Sequence, residues 1–394
     1  MMERAVYVLD GARTAFGGFG GALSGVTATA LGTAAARAAL EKSDVAADLV
    51  DNVVFGNVIQ SHNGSAYLAR HVALDAGVPV AVPALTVNRL CGSGLQAVVT
   101  AAKDILLGES FVALAGGAES MSMTPYLLRG VRFGMRMGNG TAVDMLNEVL
   151  TDCRGDIPMG ITAENLAQKY QISRAEQDEF ALLSHQRAAR AREAGRFAAE
   201  IVPVSVPGRK GPLTVSDDEH IRPDTSLESL SKLRPAFLSS GTVTAGNASG
   251  INDGAAAVIL AGETAVRQHG WSPKARIVSF AVAGVDPAYM GIGPVPAIRK
   301  ALQQANLDLE QIALWEVNEA FAAQYLSVER ELGLPRERTN VNGGAIALGH
   351  PVGASGARIL LTLIYELHRR GERFGVASLC IGGGQGIAMV VEAV

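Results

Sequence analysis

The sequence predicts an α/β protein built from duplicated βαβ halves, with a stretch of different texture inserted between them. Three observations carry this expectation. Apolar strand-like runs alternate with helical stretches about a dozen residues long, the pattern of βαβ units around a buried sheet. Motifs from the first 120 residues return in the same order near the C-terminus. The residues between the copies are far richer in charge.

The first half enters an apolar strand near Val6, and residues 28–40 read as a helix. A second strand over 49–58 closes at Asn57. Over 93–107, Leu95, Val98, Ala102, Ile105 and Leu106 share one stripe at helical period, and Gly108 ends the run. The second half repeats the order: a helix over 295–305, then a strand over 312–321 in which Asn318 stands where Asn57 stood, 261 residues earlier. Thr86-Val87-Asn88 is echoed by Asn340-Val341-Asn342 at an offset of 254, and Ser93-Gly94-Leu95 by Ser355-Gly356-Ala357 at 262. The run 112–117 is echoed by 376–383 with two residues inserted. Ordered repeats at a near-constant offset mark a duplication.

Residues 121–249 hold fifteen Lys+Arg and fifteen Asp+Glu, a density that predicts an exposed insertion rather than a further core layer. It contains a long polar helix over 174–194 and a Pro- and Gly-rich loop over 203–212. The apolar run 254–260 then supplies a last strand of the first half. The expected division is therefore 1–120 for the first half, 121–249 for the inserted loop domain, 250–272 for the return, and 273–394 for the second half.

Composition excludes several classes. A net charge of −4 leaves no footprint for nucleic acid. Three distant cysteines without a CxxC pair predict no disulfide framework and a reduced compartment. Residues 1–9 run straight into a strand with no basic region and long apolar core, so no signal peptide is expected, and the final four residues are not a peroxisomal address. Charge or glycine interrupts every long apolar stretch, so no membrane span is expected. A cytoplasmic protein follows, with enough apolar residues to cover subunit contacts as well as a core.

Four places could carry chemistry. Cys91 sits between a strand and a helix whose first turn is Gly-Ser-Gly; free N–H groups and the helix dipole there are expected to lower its pKa below the usual value of about 8.5. His350 lies in the Gly- and Pro-rich loop Gly349-His350-Pro351, at the repeat position that approaches Cys91, so the two should meet at a common seam. Cys380 ends a strand and faces Gly382, Gly383, Gly384 and Gly386. That spacing fits neither the dinucleotide fingerprint nor the phosphate-binding loop; a hole for a developing oxyanion is the other use. Asn318 puts an amide at a strand end, able to fix a water. Taken singly, each also has an ordinary structural use: a small core cysteine, a hydrogen-bonded loop histidine, a helix cap. No closely spaced Cys/His pairs suggest zinc, and Cys153 has no supporting context.

Together, Cys91-Gly-Ser-Gly, Asn318-Glu-Ala-Phe, Gly349-His350-Pro351 and Cys380-Ile-Gly-Gly-Gly resemble the four catalytic motifs of the thiolases, over nearly the whole chain. The resemblance implies two halves stacked in five αβαβα layers, a loop domain that covers coenzyme A, and a homotetramer built as a dimer of dimers. It implies thiolytic cleavage of a 3-ketoacyl-CoA, or the reverse condensation, with coenzyme A as substrate and no further cofactor. Cys91 would be the nucleophile, His350 its base, and Cys380 the acid or base at the acetyl carbon. His350 and a water on Asn318 would serve the enolate, and the N–H groups of Cys91 and Gly382 the acyl-enzyme. Arg222 would hold the nucleotide end of coenzyme A, Ser249 the pantetheine, and Met159, Met290 and Phe321 the apolar walls. Where acetoacetyl-CoA thiolases usually carry His before Met-Gly, this chain has Pro158. Together with Val131-Arg132-Phe133-Gly134, it resembles the degradative 3-ketoacyl-CoA thiolases. The rival readings are an acetoacetyl-CoA-specific thiolase, a ketoacyl synthase, which the second cysteine argues against, and a silent acyl-CoA-binding protein.

Overall fold

A single mixed sheet threads the two halves. In the computed structural model, which describes residues 5–208 and 211–394, its path has nine strands. They are β1 (Val6–Thr14), β2 (Asn52–Gly56), β3 (Ala84–Val87), β4 (Val112–Ser120), β5 (Asn252–Gly262), β6 (Ala275–Gly284), β7 (Leu314–Val317), β8 (Phe374–Ile381) and β9 (Gln385–Ala393). Their order is β7-β8-β9-β6-β1-β5-β4-β2-β3. The first four residues, part of the stretch behind the leader expectation, and Arg209–Lys210, inside the expected 203–212 loop, lie outside the described residues.

The duplication is one of topology. In the first half β2 runs parallel to β4, β4 antiparallel to β5, and β5 antiparallel to β1. In the second, β7 runs parallel to β8, β8 antiparallel to β9, and β9 antiparallel to β6. The halves join where β1 meets β6 through Tyr7–Arg276 and Val8–Ala275. The echo of Thr86-Val87-Asn88 in 340–342 is weaker in space: β3 pairs fully with β2, whereas the second half keeps only a Trp315–Thr339 bridge.

Eight longer helices accompany the sheet: α1 (Ala28–Lys42), α2 (Leu68–Asp75), α3 (Ser93–Leu107), α4 (Met159–Lys169), α5 (Arg174–Glu193), α6 (Pro294–Ala305), α7 (Ala322–Leu332) and α8 (Ser355–Arg370). Three apolar clusters divide them into layers. Leu31 and Ala35 of α1 and Val72 of α2 bury against Phe55 and Leu114 on one outer face. Val98 and Ile105 of α3 and Ile359 and Leu363 of α8 fill the space between the half-sheets. Ile298 of α6 and Val328 of α7 cover Trp315 and Val390 on the other outer face. These are the five layers that the resemblance implied. The window Leu90–Leu107 is long and apolar enough to cross a bilayer, but α3 spends that surface inside the middle layer.

The echoed Ser-Gly pairs mark where α3 and α8 touch. A Cβ on Gly94 would lie 2.8 Å from Ala357 N and 2.9 Å from Gly353 O; one on Gly356 would lie 2.3 Å from Leu95 N. Backbone meets backbone, a separation that only glycine permits.

The expectation of an exposed insertion holds for residues 132–142 and needs correction at α5. α5 is polar in composition, yet Phe180, Ala181, Ser184, Ala188 and Ala191 bury along one side; small residues carried that face, so its charge density concealed it. Ile201–Val202 pairs with β1. Glu200 and Asp218 hold the fully buried Arg13, Asp218 with two bonds of 2.7 and 2.9 Å and Glu200 with one of 2.8 Å. The expected 203–212 loop also contains the short strand Val204–Val206, paired with Leu213–Val215. The prolines at 203 and 207 flank it rather than break it.

Gly356→Ala should force α3 and α8 apart and lower unfolding stability by about 1–3 kcal/mol or more. Gly25→Ala, where a Cβ meets nothing within 4 Å, should be near neutral. Equal denaturation midpoints for the two variants would contradict the close crossing.

Candidate active site

The Cys91 turn is over-determined by its own hydrogen bonds. Leu90 N–H donates to Asn88 Oδ1 at 2.9 Å, Gly92 N–H to Arg89 O at 3.0 Å, and Ser93 N–H to Leu90 O at 2.9 Å. Ser93 Oγ accepts from Arg89 N–H at 2.8 Å and donates to Leu90 O at 2.7 Å. This holds Leu90 at φ +46°, a left-handed conformation that costs a bulky residue about 1–3 kcal/mol. The hydrogen bonds of the turn offset that cost and fix Cys91 at the mouth of α3.

The turn leans on the end of β8. A Cβ on Gly92 would strike Ile381 Cδ1 at 2.5 Å, and one on Gly382 would lie 3.1 Å from Leu90 Cδ1. The Gly382 N–H reaches the Cys91 thiol. Cys380 is fully buried two residues earlier, and its thiol is held well above the ordinary range by burial first and by Cys91 second. Cys380 is therefore a neutral S–H that can give a proton.

His350 is set from both sides of its loop. Gly349 takes φ +102°, and its Cβ would fall 2.5 Å from the Asn252 side chain; Asn252 Oδ1 accepts the His350 N–H at 2.9 Å. The ring Nδ1 lies 2.6 Å from Ser355 Oγ, which itself lies 2.9 Å from the Pro351 carbonyl. A carbonyl only accepts, so the single hydroxyl hydrogen goes to Pro351. Ser355 must then accept from Nδ1–H. That assigns the Nδ1–H tautomer and leaves Nε2 as an acceptor, which takes a long bond from Asn318 Nδ2 at 3.4 Å. Burial, then the Arg358 charge, pushes the imidazole down to about 3, so His350 is a neutral base.

Asn318 follows β7 directly. Its N–H donates to Ser378 O at 2.9 Å, tying it to the strand that carries Cys380. Its Oδ1 is buried with no hydrogen-bond partner among the described residues. The expected coenzyme A walls gather at the same place: Met290 and Ala320 cluster with Cys380, and Met159 and Phe321 pack against them. Ser249 N–H donates to Ala320 O at 2.9 Å. Arg222 lies apart from this group. It lines a cavity of about 230 Å³ with His185, His220, Asp224 and Gly246, and its N–H donates to His185 Nδ1 at 3.2 Å.

One expectation fails in direction. Burial pushes the Cys91 thiol up to about 11, against the N–H groups of Gly382 and of Cys91 itself, which lower it. The next two N–H groups, of Gly92 and Ser93, are spent inside the turn. An apolar group including Val58, Met121, Leu146 and Val352 surrounds the half-buried residue. Desolvation outweighs the helix mouth. Sequence reasoning also missed Asn252 and gave Ser355 no role, although Ser355 was visible as half of an echoed Ser-Gly pair.

The patterns of the thiolase N-terminal and C-terminal domains match residues 6–264 and 271–393. The human mitochondrial 3-ketoacyl-CoA thiolase is 54% identical over 390 residues, 99% of this chain and 98% of that protein. An acetyl-CoA acetyltransferase from Chromobacterium violaceum is 53% identical over 389 residues, 98% of this chain and 99% of its own length. The crystal structure of human mitochondrial 3-ketoacyl-CoA thiolase in complex with CoA superposes with a TM-score of 0.97 at 53% identity, covering 99% and 98% of the two chains.

In a Cys153→Ser background, alkylation of the Cys91 peptide by iodoacetamide should keep accelerating past pH 9. It should show no step near 6.5, because His350 stays neutral down to about 3. A plateau below pH 8, read by peptide mass, would contradict the desolvated thiol.

Proposed function

The chain belongs to the thiolase family, and we propose that it acts as an acetyl-CoA C-acyltransferase, cleaving a 3-ketoacyl-CoA with coenzyme A. The observation that carries the reading is the meeting of three neutral groups at one seam: the Cys91 thiol under the Gly382 N–H, the Cys380 thiol, and a histidine whose unprotonated Nε2 is held by Asn318.

Cys91 Sγ attacks the 3-keto carbon while its proton passes to His350 Nε2. The bond between C2 and C3 breaks, leaving the acyl group as a thioester on Cys91 and the acetyl-CoA enolate. Cys380 S–H protonates that carbon. The same Nε2 that took the proton now presents an N–H to the enolate oxygen, beside the water that Asn318 would hold. In the second half-reaction the coenzyme A thiol gives its proton to the Cys380 thiolate left by the first and attacks the Cys91 thioester; the shortened acyl-CoA leaves, and the departing Cys91 sulfur takes back the proton held on His350 Nε2. The N–H groups of Cys91 and Gly382 face the oxyanion formed there; losing one such donor typically costs about 2.7–4 kcal/mol in barrier.

Coenzyme A is the substrate that this site handles and no further cofactor enters the scheme. Met159, Met290 and Phe321 flank the pantetheine near Cys380, Ser249 touches it, and Arg222 takes the nucleotide end. On the acyl side, Leu146, Val149, Leu150 and Ile251 pack beside Cys91, and half-buried Pro158 precedes α4. These apolar neighbours favour a medium or broad range of chain lengths over acetoacetyl-CoA alone, as in fatty-acid degradation. A cytoplasmic homotetramer, built as a dimer of dimers, completes the proposal. It is supported by three free cysteines and by exposed apolar side chains, Leu85 on edge strand β3 and Phe133 and Met137 in the insertion, that call for subunit cover.

Coenzyme-A-dependent cleavage should be measured on acetoacetyl-CoA, 3-ketooctanoyl-CoA and 3-ketodecanoyl-CoA. Comparable or higher kcat/KM on the longer chains is expected. Activity on acetoacetyl-CoA alone would make the enzyme an acetoacetyl-CoA thiolase, and no cleavage of any would leave a silent acyl-CoA-binding protein.

A further inference from the structure

The repeat gives the two halves matching asparagines with different uses. Asn318 faces His350, whereas its counterpart Asn57 faces a carboxylate: Asn57 Nδ2 donates to Glu119 Oε1 at 2.9 Å. Glu119, at the end of β4, is fully buried and accepts three further bonds. Ile59 N–H reaches Oε1 at 3.0 Å, and Val58 N–H and Gly353 N–H each reach Oε2 at 3.0 Å. Four donors and no acceptor face the two oxygens, which suits the carboxylate form. Burial pushes the group up to about 8, which favours the acid, whereas the N–H groups of Ile59, Val58 and Gly353 pull it down; the all-donor ring, which offers a carboxylic O–H no acceptor, decides for the carboxylate.

The Gly353 bond crosses the seam. Gly353 belongs to the second half, three residues after His350, in the turn whose Ser355 Oγ meets His350 Nδ1. Its neighbour Val352 packs with Val58, Ile59 and Cys91. A Cβ on Gly353 would lie 2.6 Å from Glu119 Oε2, so the turn is drawn as close to the carboxylate as backbone allows. We propose that Glu119 is a positioning residue: it bolts the His350 turn to the first half and so sets Nε2 against the Cys91 thiol. This rests on Cys91 as nucleophile and His350 as its base, and concerns how the two are held in register. A misplacement near 1 Å is enough to cost about 10²-fold in rate.

The test is a double-variant cycle on the single-turnover acylation of Cys91 by octanoyl-CoA, with coenzyme A affinity measured alongside. Glu119→Gln presents an amide N–H₂ to a ring of donors at nearly unchanged shape. It should slow acylation at least about tenfold while the Kd for coenzyme A stays within about threefold. If Glu119 acts through His350, adding Glu119→Gln to His350→Ala should cost less than about threefold more. Acylation by Glu119→Gln near the wild-type rate would overturn the proposal, as would effects that multiply in the double variant or a matching loss of coenzyme A affinity. Should Glu119→Gln not fold, Gly353→Ala, which displaces the same bond, takes its place in the cycle. His350→Ala that acylates at the wild-type rate would instead overturn the assignment of His350, a separate failure from that of the bolt.

Discussion

The backbone-to-backbone crossing of α3 and α8 is the constraint on which the site depends. Each helix begins at a turn that carries a proposed catalytic residue, Cys91 before α3 and the His350 loop before α8. Gly94 and Gly356 let the two N-terminal ends approach until a methyl group would collide with peptide atoms. The duplicated sheet sets the helices face to face, and the glycines set the distance. β7 and β8, paired in parallel, then deliver Asn318 and Cys380 to the same seam from the second half alone.

Burial decides the electrostatics. A cleft of ionised groups could also hold a thiolate, but here desolvation keeps both thiols protonated and the imidazole neutral. In the proposed mechanism a neutral pair of Cys91 and His350 would move its proton only as the substrate carbonyl takes up charge, and the N–H groups of Cys91 and Gly382 would receive that charge. Such preorganised dipoles act strongly in a site that excludes water. The hydrogen bonds around Leu90 and the Ser355–Pro351 bond on the far side of the imidazole fix Cys91 and His350 without adding charge.

Much of this was legible in the chain. The ordered echoes predicted the two-fold topology, because each copied segment is a whole strand or helix with its own period. The four motifs predicted the seam, because Cys91, Asn318, His350 and Cys380 all sit at strand ends or helix mouths. The expected coenzyme A contacts came from the resemblance, and four of those five residues lie near Cys380. What stayed hidden was long-range. Apart from Phe180, the buried face of α5 is made of alanine, serine and polar residues, which carry no strong apolar signal. Glu119 and Asn252 are polar residues at strand ends whose partners lie 234 and 98 residues away. The direction of the Cys91 shift depended on desolvation by residues brought from five separate segments, which no local helix-mouth argument contains.

The most direct test of the seam is to trap the acyl group. Cys380→Ser enzyme should be incubated with octanoyl-CoA, quenched, digested and read by peptide mass. Because thioester exchange onto the nucleophile needs no proton transfer at the acetyl carbon, the octanoyl group should appear on the peptide containing Cys91. It should vanish in the Cys91→Ala, Cys380→Ser double variant. An acyl group on any other residue, or none on Cys91 while coenzyme A still binds, would contradict the account.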